Sequence, residues 1–115
     1  MEIKNYLRAV HTLGPSHDGE GQIADAQLLN ASDFISNLQF VIHSVLKPGT
    51  SIGYHTHGDD EEIYIILSGR GQMTVDGETR EVGPGDVILN RPRGSHGLSN
   101  LSSADLEILV FEVKC

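Results

Sequence analysis

The chain has 115 residues, 16 acidic against 8 basic side chains, and a formal net charge of −8. That length suits one domain with a real core, and the acidity argues against nucleic acid or an anionic membrane as partner. A single cysteine, Cys115, excludes an internal disulfide framework and a cysteine-rich zinc site, while six histidines are many for so short a chain.

The N-terminal third carries weak signals. Glu2–Leu7 and Ile23–Leu29 each read as a short strand, separated by the polar, glycine-bearing stretch 14–21. Asn30 or Ser32 is placed to cap a helical turn within 30–36. No signal-peptide core follows Met1, and the longest apolar run, Ile63–Leu67, falls far below the ~20 residues of a membrane span. The expectation is a soluble, cytoplasmic protein.

From residue 38 onward, short β-like runs alternate with turns. Leu38–Leu46, Ser51–His57, Glu62–Leu67, Gln72–Val75, Glu78–Val82, Val87–Leu89, His96–Leu101 and Leu106–Val113 all read as strands. Lys47-Pro48-Gly49-Thr50 and Gly83-Pro84-Gly85-Asp86 are turns. Asp76-Gly77 predicts a tight hairpin, because both turn residues must take positive φ. No apolar helical period runs long enough for a substantial helix. The expected class is therefore all-β, an antiparallel sandwich or closed barrel over 38–115, with 1–37 adding N-terminal strands and loop to one domain.

His55 and His57 carry the first chemical signal. Side chains two apart on a strand share a face, so the imidazoles stand side by side. The pair reads either as half of a metal site or as two surface histidines beside an acidic tip. A hairpin returning through 58–61 would bring Glu62 to whatever the imidazoles hold. Glu61 falls on the other side of the pleat, and Asp59 and Asp60 read as charged turn residues.

Gly49–Gly69 resembles the first motif of the cupin superfamily: a glycine, five residues, His55-Thr56-His57, four residues, Glu62, six residues, and Gly69. The second motif follows, with Gly85 and His96 eleven apart and Asn100 after three more residues. Pro92 and Gly94 each fall one place late, with Arg91 and Arg93 at the motif positions. The run Pro48–His55 is similar to the small oxalate-decarboxylase-like members, those with a single cupin domain.

The resemblance implies a double-stranded β-helix (jelly-roll) barrel in which His55, His57, Glu62 and His96 converge on one divalent ion. Imidazole and carboxylate without thiolate select Mn, Fe, Co, Ni, Cu or Zn over Ca and Mg, with Mn or Fe favoured. One carboxylate against the ion leaves a cationic hole suited to a small carboxylate or enediolate. The implied activity is of decarboxylase, dioxygenase or isomerase type. The alternatives are a non-catalytic, metal-dependent module that binds a small anion, and a metal-free sugar epimerase, against which the complete quartet weighs.

Tyr64, on the face of Glu62, is a catalytic candidate, as are Glu61 and Arg91; Arg91 and Arg93 could also grip an anion. His43 reads as a satisfied core histidine, His11 and His17 as ordinary surface residues, and Asn100 as the tie of a strand corner. Relatives of this kind, often with N-terminal strands exchanged, imply a homodimer, with 1–37 as its arm.

Overall fold

Alternation of buried and exposed side chains turns the predicted runs into strands, ten in all, in a computed structural model that describes all 115 residues. They are β1 (Thr12–Gly14), β2 (Ile23–Asn30), β3 (Leu38–Leu46), β4 (Ser51–Thr56), β5 (Asp60–Ser68), β6 (Gly71–Val75), β7 (Glu78–Val82), β8 (Val87–Asn90), β9 (Ser95–Ser99) and β10 (Leu106–Lys114). One sheet has the order β1-β2-β3-β10-β5-β8, the other β4-β9-β6-β7, and every pairing is antiparallel. The two sheets face each other in a jelly roll.

The inward positions form one core. Leu46, Leu98, Leu106 and Ile108 are fully buried, and Ile23, Ile52, Ile66, Met73 and Val110 pack with them. Each such side chain contributes about 1.5–3 kcal/mol on burial, so the facing of two apolar layers drives the fold. No hydrogen bonds join β7 to β8, so the barrel is not closed. A gap of about 460 Å³ opens there, lined by Met73, Val82, Val87 and Leu89 among others.

Several local expectations hold. Asp76 and Gly77 both take positive φ, 48° and 82°, between the paired strands β6 and β7. A 3-10 turn at Ala31–Asp33 is capped by Asn30, whose Oδ1 accepts from the Ser32 N–H while Asp33 Oδ2 accepts from the Asn30 N–H. No helix is long and apolar enough to cross a membrane.

Two expectations fail. Glu2–Leu7 forms no strand, because nothing pairs with it; the N-terminal strand is instead β1, held by its register against β2. More consequentially, β4 and β5 do not form a hairpin. The backbone of β4 pairs with β9, and that of β5 with β10 and β8, so the chain crosses between sheets at residues 57–59. Glu62 therefore meets the histidine pair across the interior, not along a shared ladder.

Candidate metal centre

Local backbone geometry aims the histidines. The β4–β9 register shifts between Ile52 and His55, and the Gly53 carbonyl accepts a hydrogen bond from His55 Nδ1 at 2.6 Å. His57 Nδ1 donates to Asp60 Oδ2 at 3.1 Å. With both Nδ1 atoms acting as donors, both Nε2 atoms are left as bare acceptors in the neutral rings. These two acceptors lie 3.1 Å apart.

His96, on β9 beside His55 in register, and Glu62, on β5, complete the group. His96 Nε2 is 3.1 Å from Glu62 Oε1, and His57 Nε2 is 3.4 Å from the same oxygen. One donor atom from each of the four residues lies within 4.8 Å of the others. Adjacent ligands of an octahedral ion bound at about 2.1 Å stand roughly 3 Å apart, so these separations fit a transition ion. The chemistry agrees, since two lone pairs facing each other at 3.1 Å can both be taken up by one cation.

Comparison with known proteins places the chain. A family model for the cupin domain matches residues 42–112. The chain belongs to the cupin family. An oxalate-binding protein of Thermotoga maritima is 33% identical over 91 residues, covering 79% of this cupin and 75% of the relative. The crystal structure of a predicted oxalate decarboxylase from the same organism superposes with a TM-score of 0.95 at 26% identity, over 98% of this chain and 99% of that one. A polyketide cyclase of Streptomyces resistomycificus shares the fold, with a TM-score of 0.83 at 19% identity over 98% of this chain and 79% of its own.

Around the quartet, this cupin places several side chains where sequence reasoning did not. His17 is no ordinary surface residue: its ring stacks on that of His55, centroids 3.5 Å apart and planes 6° from parallel. Stretch 14–21 is pinned to β4 by the Gly53 N–H to Ser16 carbonyl and Ser51 N–H to Glu20 carbonyl bonds, both 3.0 Å. A Cβ on Gly53 would lie 1.9 Å from the His17 carbonyl oxygen, so only glycine permits this contact. The glycines in 14–21 and at 53 were the only sequence trace of it. Burial is the largest cause holding both the His17 and His55 pKa values below the ordinary histidine range.

Asp60 is likewise more than a charged turn residue, since it orients His57. Glu112 Oε1 lies 3.7 Å from His57 Nδ1. Burial, then hydrogen bonding to Asp60, pushes the Glu112 carboxyl up to about 8, so it keeps its proton at neutral pH. The hydrogen bond from Glu112 in turn holds Asp60 below the usual carboxylate range. Two further carboxylates lie near the quartet: Asp60 bonds the outer nitrogen of His57, and Asp25 lines the adjoining cavity. That cavity, about 140 Å³, is shared by His17, Ser44, Glu62 and Tyr64.

Tyr64 is buried, edge-on to His96 with ring centroids 5.3 Å apart. Burial, then the charge of Glu62, raises its hydroxyl well above the ordinary range, leaving it a proton donor. Glu61 lies outside the cluster, paired in register with Val113. Arg91 is exposed and lines no part of the cavity, while Arg93 pairs with Asp59 at 2.9 Å. On the outer sheet face, His43 is buried between Glu107 at 3.1 Å and His11 at 2.7 Å, with Tyr6 stacked on it. His43 is satisfied as expected, but on the outer sheet face under the N-terminal segment and not in the core, whereas His11 is a bonded partner and not a free surface group. Asn100 ties the corner as expected, donating to the Leu46 and Ala104 carbonyls.

Proposed function

We propose that this cupin acts on a small carboxylate or enediolate anion bound to a divalent transition ion. The ion is held by His55, His57, Glu62 and His96; Mn or Fe is favoured, with Ni, Co, Cu and Zn as further candidates. The facing pair of unprotonated Nε2 atoms, 3.1 Å apart, carries this reading. A bound ion would supply Lewis acidity and, beyond four protein ligands, two positions for a chelating anion. The chain supplies the rest: Gly53 and Asp60 orient the ligand imidazoles, Tyr64 offers a protonated hydroxyl, and a cavity of about 140 Å³ adjoins Glu62.

Turnover of decarboxylase, dioxygenase or isomerase type is one outcome of such binding. The second reading is a non-catalytic module that holds the anion, and the oxalate-binding relative of Thermotoga maritima favours it. Purified protein incubated with Mn or Fe is expected to take up one equivalent of metal. His96→Ala should retain less than about a tenth of that, and Glu61→Ala nearly all of it; equal losses would overturn the ligand assignment. Oxygen uptake or carbon dioxide release with oxalate, 2-oxo and 2-hydroxy acids identifies an enzyme. Saturable binding without turnover identifies the module.

Residues 1–37 serve in this proposal as the arm of a homodimer. Ile3, Leu7, Val10 and Leu13 support it, being 66–87% exposed. A monomer at all concentrations in light scattering would refute the arm.

A further inference from the structure

Ser16-His17-Asp18-Gly19 closes a tight turn, in which the Gly19 N–H donates to the Ser16 carbonyl at 2.9 Å. Its two central residues both take positive φ, 49° at His17 and 58° at Asp18. Asn and Gly suit such a turn better, so the chain holds His17 there against backbone strain. Strain of this kind gathers at ligand sites, where the surrounding structure fixes a side chain in place. Close backbone contacts do the fixing here. A Cβ on Gly19 would lie 2.0 Å from the Ser51 carbonyl oxygen, as tight a fit as the one at Gly53.

The turn presents an imidazole that nothing in the protein bonds. His11, His43, His55, His57 and His96 each have a ring nitrogen within hydrogen-bond reach of a protein atom. His17 has none; its ring lies flat on His55 and lines the cavity shared with Glu62 and Tyr64. No other cavity of the molecule is lined by a member of the quartet. An anion on an ion held there would therefore have this cavity as its space.

The rest of the polar wall is poorly suited to an anion. Asp25 and Glu62 are carboxylates, and the Ser44 hydroxyl donates to Asp25. Ser16 and Tyr64 bring hydroxyls, while His17 brings the only side-chain nitrogen. A neutral imidazole carries one N–H in either tautomer, and a hydrogen bond from it to an anion is charge-assisted. Resting on the metal-bound anion proposed above, we infer that His17 is a ligand-contacting residue of that site. Stacked on His55, it donates its free ring N–H to the part of the anion that the ion leaves uncovered.

The test titrates manganese-loaded wild type, His17→Gly and His17→Phe with oxalate and with glycolate by calorimetry, measuring metal content in every sample. His17→Gly suits the positive φ and keeps the turn without the imidazole. His17→Phe keeps a ring to lie on His55 but has no donor. Both are expected to retain their metal and to lose about ten-fold or more in affinity for whichever anion wild type binds. Wild-type affinity in His17→Gly would overturn the contact, and wild-type affinity in His17→Phe would reduce the ring to a packing element. Loss of metal from both variants would also overturn it, since His17 would then act on the ligand His55 and not on the anion. A wild type that binds neither anion overturns the proposed function and this inference with it. That outcome is distinct from one in which wild type binds and the variants match it.

Discussion

His43 sits behind Tyr6 on the outer sheet face, bonded to Glu107 and to His11. Burial is the largest cause of its lowered pKa. The folded state therefore resists protonating a ring that the unfolded chain protonates near pH 6.5. Its stabilising contribution is complete above about pH 6.5 and is lost as the pH falls below that value. His43→Gln cannot take up this proton, so the melting-temperature advantage of wild type over the variant should shrink on acidification; a constant difference would disprove it. At this scale, the candidate ligands were legible because their spacing is written in two short motifs of the chain. His17 and Asp60 were not, because what each touches depends on how a loop docks and where a strand starts.

Stretch 14–21 and β4 meet at a backbone-to-backbone contact that leaves no room for a side chain at Gly53. Gly53→Ala would place a methyl 1.9 Å from the His17 carbonyl oxygen and 2.9 Å from the Gly19 nitrogen. Backbone must move, at a cost of roughly 1–3 kcal/mol in chemical denaturation. The loop should also lift, and NMR should show the His17 ring signals shifting as it leaves the face of His55. Retention of the stack in the variant would contradict this. Strand runs and tight turns were legible, since the Asp76-Gly77 pair names its own geometry. The partners of β4 and β5 were not, because a short link between two strands looks the same whether they pair with each other or with strands far along the chain.

Across the whole molecule, the quartet belongs to neither layer alone. His55 lies on β4, His57 just past its end and His96 on β9, while Glu62 lies on β5 in the opposite sheet. An ion at this centre would rivet the two layers together from the inside. Stripping it with a chelator should speed amide exchange in β4, β5 and β9 while leaving the β1–β2 pair unchanged. Uniform acceleration, or none, would show that the layers hold without it. Because β7 and β8 are left unstitched along one side, a molecule that loses its rivet should breathe first along that seam, and metal loading would then govern how often its interior meets water.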